Sequence, residues 1–319
     1  MEQKNVERSL RERIGLTVDP NPATLVETLV EIEEAGVDHV WVGGGPPWNP
    51  DLLTLLSAAA MRTTHLIVGT AIVQVFSRHP VFLAQQALSF NALAPGRLRL
   101  GVGTSSPAFA KRMYGVEMEP PLAYLREYVQ VLRSLLQEGE VHHQGRSFTI
   151  DAELGASSQV PLLIAALGPV AFRLAGEMAD GALPALCPIP YLLGTALPAL
   201  SEGSASVGRS RPPVVAHVPV ILTEDRETAF QVGRQAIRFN TSLPTYRNMF
   251  LVAGFSEQEI TTVSDHLIES LIVFGDESRI MDRLLELLGT EIDELRISPL
   301  PVSDAVQEGS RLARLIGQL

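Results

Sequence analysis

One stretch constrains the fold more than any other. It is residues 65–106, HLIVGTAIVQVFSRHPVFLAQQALSFNALAPGRLRLGVGTSS. An apolar run from His65 to Ile72 is interrupted by Gly69 and Thr70. A helical segment follows from about Val81 to Leu93 and stops at Pro95-Gly96. A second apolar run, Leu98 to Val102, ends in Gly103-Thr104-Ser105-Ser106. Two short apolar strands joined by one helix form a parallel βαβ unit, because the crossover must carry the chain back to the starting edge. Both strands end in small residues, where a ligand can come close to the backbone.

The same rhythm fills the chain. Strands are expected at Arg13–Val18, Val37–Val42, Val160–Ala166, Asp180–Ala185, Pro213–Leu222 and Leu295–Ser298. Helices are expected near 21–35, 51–61, 124–137, 168–178, 189–206, 224–240, 276–288 and 304–319, each with apolar residues at helical spacing. Residues 107–123 read as a loop, Val141–Ile150 as a small hairpin, and 241–270 as a helical insertion. Eight strands alternating with helices fit either a (β/α)8 barrel or a doubly wound sheet.

No Pro/Gly/Ser-rich linker divides the chain, so residues 1–319 read as a single domain. Strand ends along the whole length finish in ligand-friendly residues: Asp19, Gly43-Gly44-Gly45 (followed by Pro46-Pro47), Gly69 to Ala71, Gly101 to Ser106, and Ala166 to Gly168. A barrel gathers all of these on one face, whereas an open sheet would use only those at its switch point. The barrel is the expected architecture.

Composition limits the partners. A net charge of −11 disfavours nucleic acid and anionic membrane. One cysteine, Cys187, excludes an intrachain disulfide and any cysteine-based metal site. The charged N-terminus lacks the apolar core of a signal peptide, and Val160–Leu167 is too short to span a bilayer. A soluble cytoplasmic protein acting on a small molecule is expected.

Motifs for protein-borne chemistry are sparse. Gly101 to Ser106 lacks the third glycine of a dinucleotide fingerprint, and reads equally as a close-approach site or a tight strand exit. Ala165 to Pro169 places strand, glycine and helix N-terminus in the order of an anion site, or of an ordinary βα turn. His79, His142 and His143 have no metal-ligand spacing and read as structural; no metal is expected. Asp19 is a general base at a strand end or a turn-initiating residue before Pro20. With no nucleophile motif in view, a bound cofactor would carry the chemistry.

Gly69-Thr70-Ala71-Ile72, Arg78-His79-Pro80, Ala84-Gln85-Gln86, Gly96-Arg97-Leu98 and Leu100 to Thr104 together resemble the luciferase-like flavin-dependent oxidoreductases. Arg126-Glu127-Tyr128 with Val131-Leu132, Ala165 to Pro169, Leu174 to Glu177 with Ala179-Asp180-Gly181, and Leu243 to Arg247 carry the likeness along nearly the whole chain. The pattern is most similar to the branch that uses the deazaflavin coenzyme F420.

The resemblance implies a (β/α)8 TIM barrel with insertions. It further implies a flavin ring held at the third strand's end against a non-proline cis peptide, here Ala71–Ile72. Gln74, Gly103, Thr104, Ser105 and Ala166 would lie beside the cofactor, and Leu167, Gly168 and Pro169 at its phosphate. The implied activity is hydride transfer between reduced coenzyme F420 and a small organic substrate. An FMN-dependent monooxygenase using molecular oxygen and a non-catalytic flavin-binding protein are the alternatives. A homodimer is common in such barrels. This sequence departs from its relatives at two places. An Asp-His pair at the second strand's end is replaced by Gly43-Gly44, and the glutamate that sugar-phosphate dehydrogenases carry after the fourth strand is replaced by Ser106. Asp19, Tyr114 and Tyr246 are candidate proton donors by position alone.

Overall fold

The computed structural model describes residues 9–44, 49–118 and 120–319. Gly45-Pro46-Pro47, expected to stop the second strand, lies outside them. The strands are β1 (Ile14–Val18), β2 (His39–Val42), β3 (Ile67–Thr70), β4 (Val73–Gln74), β5 (Leu98–Gly103), β6 (Glu140–Gln144), β7 (Thr149–Glu153), β8 (Leu162–Ala165), β9 (Gly181–Leu183), β10 (Val215–Leu222), β11 (Val273–Gly275) and β12 (Glu294–Pro299). The helices are α1 (Leu25–Glu34), α2 (Leu52–Ala60), α3 (Pro80–Leu93), α4 (Pro107–Tyr114), α5 (Pro121–Gln137), α6 (Pro169–Met178), α7 (Ile189–Tyr191), α8 (Leu197–Ser206), α9 (Arg226–Thr241), α10 (Pro244–Val252), α11 (Glu257–Thr262), α12 (Asp265–Leu271), α13 (Glu277–Leu288) and α14 (Ala305–Gly317).

The main sheet runs β11-β10-β12-β1-β2-β3-β5-β8-β9. Every pair along it is parallel. Its ends meet: Ala182 bridges to Val214, and the Ala182 N–H donates to the Pro213 carbonyl at 2.9 Å. Eight strands therefore close the ring, as expected, and β11 is an additional parallel strand on the last turn of β10, at Val220 to Leu222. β6 and β7 form the antiparallel hairpin expected after α5. Residues 241–270 form the expected helical insertion, α10 to α12.

Two regions differ from the sequence reading. Residues 107–114 are helical, with Pro107 in the first turn and Gly115 in the left-handed conformation (φ 68°) ending it. β11 follows α12 with one intervening residue, so no turn signal announces it. No helix among the described residues is long and apolar enough to cross a membrane.

The helix starts follow from local chemistry. The Asp51 carboxylate accepts the Thr54 N–H at 2.8 Å, the Asp276 carboxylate accepts that of Arg279 at 2.8 Å, and Ser256 and Glu259 form a capping box. His79 caps α3, its Nδ1 accepting the Val81 N–H at 3.4 Å, with Pro80 in the first turn.

The apolar residues form two cores. The larger fills the space between the strands and the surrounding helices. The smaller lies inside the barrel, where Trp41, Leu163, Leu183 and Val215 cluster with Ala71 and Ile72 against them. Trp41 crosses the interior because two neighbours have no side chain. A Cβ on Gly15 would lie 2.7 Å from the indole nitrogen, and one on Gly69 2.3 Å from its six-membered ring. Below the indole, the Arg99 guanidinium lies 4.8 Å from the ring centroid and donates to both Glu294 carboxylate oxygens, at 2.5 and 3.2 Å. A bidentate pair of this kind satisfies charges that burial would otherwise penalise. The floor is thus closed, and open space lies toward the strands' C-terminal ends.

Candidate active site at the barrel mouth

One wall of the mouth is built from small residues. The third strand stops at Thr70, turns through a cis Ala71–Ile72 peptide, and resumes as β4, which pairs with β5 at Val102 and Gly103. The buried Thr70 hydroxyl spans the break, donating to the Gly101 carbonyl and accepting the Gly101 N–H, both at 2.8 Å. Ile72 then folds over β5. A Cβ on Gly103 would lie 2.5 Å from Ile72 Cδ1 and 2.8 Å from the Ala165 Cβ. The space at Gly103 is thus taken by the protein's own side chain, while Ala71 faces the central hollow. Beyond it Ser105 holds a left-handed conformation (φ 50°), and Gln74 Nε2 donates to its hydroxyl at 3.4 Å.

The wall continues to α6. Gly168 precedes the first turn, its carbonyl accepts the N–H groups of Ala171 and Phe172, and a Cβ on it would meet nothing within 4 Å. A helix N-terminus facing open space favours an anion through its dipole and unbonded N–H groups. The loop is held from behind, where the buried Tyr191 hydroxyl donates to the Leu167 carbonyl at 2.7 Å. Burial pushes the Tyr191 phenol up to about 12, so it stays a donor.

The opposite wall is polar. Along β12, Leu295 and Ile297 join the outer core, and the alternate residues Glu294, Arg296 and Ser298 are turned to the barrel interior. Arg296 pairs in register with Gly15 on one side and His217 on the other. It is 7% exposed, its Nε has no hydrogen-bond partner among the described residues, and burial pulls its pKa down to about 10. His217 Nδ1 accepts the Leu186 N–H at 3.2 Å, and its Nε2 is 2.8 Å from the Ser298 hydroxyl. Burial and the neighbouring Arg296 charge hold its pKa well below the ordinary value of 6.5. The imidazole is therefore neutral, with Nε2 carrying the proton. Leu186 adopts φ 52° to aim that N–H. Tyr246 lines the hollow with Asn240, and burial pushes its phenol up to about 12.

A hollow of about 760 Å³ adjoins the polar wall, lined among others by Thr17, Asp19, His217, Tyr246 and Arg296; it reaches the small-residue wall at Ala71 and runs out along α1, α9 and α14. Such a volume suits a small ligand.

Asp19 and Tyr246, singled out from position, thus share one hollow, with Asp19 on its exposed rim. Tyr114 does not line it; its ring packs on Phe76 at 5.1 Å between centroids. Ala71, Ile72, Gln74, Gly103, Thr104 and Ser105 gather on β3 to β5, and Ala166, Leu167, Gly168 and Pro169 between β8 and α6. At the Asp-His departure a Cβ on Gly44 would fall 2.1 Å from the Ile72 carbonyl oxygen, whereas one on Gly43 would make ordinary contact with the Ala71 carbonyl oxygen at 3.6 Å. Sequence reasoning missed His217 and Arg296. The signal was present: each interrupts an apolar strand, in Val214-Val215-Ala216-His217-Val218 and Leu295-Arg296-Ile297. His79 serves as a helix cap, His142 contacts Asp151 at 2.8 Å and His143 contacts Glu127 at 3.0 Å. Cys187 is buried, and burial raises its thiol pKa strongly.

Comparisons with known proteins agree with this architecture. An F420-dependent glucose-6-phosphate dehydrogenase of Microbacterium testaceum is 28% identical over 311 residues, covering 85% of this chain and 92% of that one. The 5,10-methylenetetrahydromethanopterin reductase of Methanopyrus kandleri is 23% identical over 323 residues, covering 90% and 92%. A solved F420-dependent secondary alcohol dehydrogenase, in complex with an F420-acetone adduct, superposes with a TM-score of 0.78 at 19% identity, covering 95% of this chain and 97% of that one. The family model described as luciferase-like monooxygenase matches residues 7–294, and the chain belongs to that family.

Proposed function

We propose that this protein is a coenzyme F420-dependent oxidoreductase that moves a hydride between the reduced deazaflavin and a small organic substrate in the barrel mouth. The observation that carries this reading is a hollow at the mouth of a closed barrel, lined by Ala71 from the turn after β3 and by His217, Tyr246 and Arg296 of the polar wall. The small-residue wall fits a flat ring with a phosphate tail. Ala71 offers a side-chain-poor surface, and Gly168 leaves open space beside the α6 N-terminus. Similarity to F420-dependent relatives over most of the chain supports the choice of deazaflavin.

Bound there, the deazaflavin would supply a two-electron hydride donor or acceptor. The chain would supply the rest. Ala71, Ile72, Gln74 and the Gly103–Ser105 turn would position the ring, and the Ala166–Pro169 loop would take the phosphate on backbone N–H groups. Tyr246 would hold a proton close to the substrate, and Asp19 would exchange protons with solvent at the rim. Without a side chain at Gly44, and with Ser106 where sugar-phosphate dehydrogenases carry a glutamate, the sugar-phosphate reaction is not the proposed activity.

Titration of the purified protein with coenzyme F420 and with FMN tests the reading. Tight deazaflavin binding, with weak FMN binding and no oxygen consumption, is expected. Tight FMN binding without deazaflavin binding, with oxygen uptake on reduction, would overturn it in favour of a monooxygenase. Deazaflavin that binds but stays unreacted with every compound of a broad panel would indicate a pure carrier.

A further inference from the structure

We propose that the substrate is an organic acid whose carboxylate seats on Arg296; this rests on the hydride-transfer reading for its chemistry but not for its geometry. The interior of the barrel holds two arginines at neighbouring depths, and they are treated differently. Arg99, on the floor, donates to both oxygens of Glu294. The Arg296 guanidinium, at the base of the open hollow, makes no ion pair or hydrogen bond among the described residues, although the residue is 7% exposed. Two carboxylates line the hollow, Asp19 and Glu31, and neither pairs with it. A buried guanidinium without a counter-charge is costly unless something compensates it.

The surroundings specify what that is. On β1, Thr17 Oγ1 is also buried without a partner. On β10, His217 is neutral, with its lone pair filled by the Leu186 N–H and its proton directed at Ser298. Tyr246, from α10, keeps its phenol proton. These groups offer a forked cation and hydroxyls, with the hollow's two carboxylates left unpaired to that cation, which matches a planar carboxylate.

Position separates this site from the cofactor's own anion. Around the ring, β12 is four strands from β5 in either direction, through β1, β2 and β3 or through β10, β9 and β8. The residues proposed for the cofactor lie on the far side, and its phosphate would lie at α6. Ala71 lines the same hollow as Arg296, so an acid held by the guanidinium would present its reacting carbon across the open space to the ring.

The test uses wild type, Arg296→Gln and Arg296→Met, with and without coenzyme F420. Thermal stabilisation by formate, acetate, crotonate and benzoate is compared with that by crotonamide, benzamide and chloride at equal ionic strength, and calorimetry measures the affinities. Wild type should prefer acids over matched amides by at least about tenfold, and both variants should lose that preference while still binding the deazaflavin. Equal binding of acids and amides to wild type, or no stabilisation by any carboxylate beyond chloride, would overturn the proposal. So would an acid preference that survives in both variants. If the variants lose deazaflavin affinity instead, the anion at Arg296 belongs to the cofactor and the proposal fails. If wild type binds no deazaflavin, the functional reading fails, and the carboxylate titration of the cofactor-free protein still decides this one.

Discussion

His217 and Arg296 stand side by side on neighbouring strands, a neutral imidazole against a permanent cation. Each explains the other. The cation disfavours a second positive charge, and the imidazole, kept neutral, adds none to the base of the hollow.

A pH dependence of stability follows, with a definite sign. The folded-state pKa of His217 lies well below 6.5, so the unfolded chain binds the proton more readily. The residue's contribution is fully present above pH 6.5 and is lost as the pH falls from there toward the folded value. The slope of one such group is at most about 1.4 kcal/mol per pH unit. Thermal melts from pH 7.5 to 5 should show a falling Tm, and His217→Gln should flatten the decline. An identical slope in the variant would remove His217 as the cause.

Packing predicts two opposite glycine substitutions, one inside the barrel and one on an outer helix. Gly69→Ala places a methyl group 2.3 Å from the Trp41 ring, which is held between strands and cannot retreat. Overpacking of this kind costs about 1–3 kcal/mol, so the Tm should drop by several degrees. Gly309, inside α14, has nothing within 4 Å of an added Cβ. Gly309→Ala should stabilise by about 0.5–1 kcal/mol. Chemical denaturation of both variants checks the pair, and a neutral Gly69→Ala would contradict the packing described.

Much of this architecture is legible in the sequence, because strands buried on both faces read as apolar runs and helices keep their period. Ala71–Ile72 was found through family likeness, and spacing alone left Gly103 and Gly168 ambiguous. The structure separates those two: the space at Gly103 is filled by Ile72, and the space at Gly168 is open. Helix α4 escaped notice because Pro-Ala-Phe-Ala-Lys-Arg-Met-Tyr has no apolar stripe. The polar wall was harder for a different reason. In Glu294-Leu295-Arg296-Ile297-Ser298 the alternation is plain, and a strand with one solvated face would send the charges to water. Only closure of the ring turns them inward, and closure depends on pairings between residues far apart in sequence.

Tyr246 separates binding from turnover. Its phenol keeps its proton at neutral pH and lies in the field of Arg296. Tyr246→Phe removes the proton and little volume. Loss of a positioned proton donor costs on the order of 10²–10⁴ in rate. The expected result is a large fall in kcat with deazaflavin affinity unchanged and KM altered little. An unchanged kcat at saturating substrate would exclude Tyr246 as the donor.

Tyr191 tests the support behind the phosphate loop. Its hydroxyl is the side-chain donor to the Leu167 carbonyl, and the residue is buried and does not line the hollow. Tyr191→Phe retains the buried ring and removes one hydrogen bond, worth about 1 kcal/mol. Because Leu167 immediately precedes Gly168, the loss should be felt where the α6 N-terminus meets the phosphate. Coenzyme F420 should then bind several-fold more weakly, with kcat at saturating cofactor preserved and global stability lowered by no more than about 1 kcal/mol. Riboflavin-type analogues lacking the phosphate should bind wild type and variant alike. Equal weakening of phosphate-bearing and phosphate-free ligands would show that Tyr191 supports the ring site, and the anchor at Gly168 would have to be reassigned.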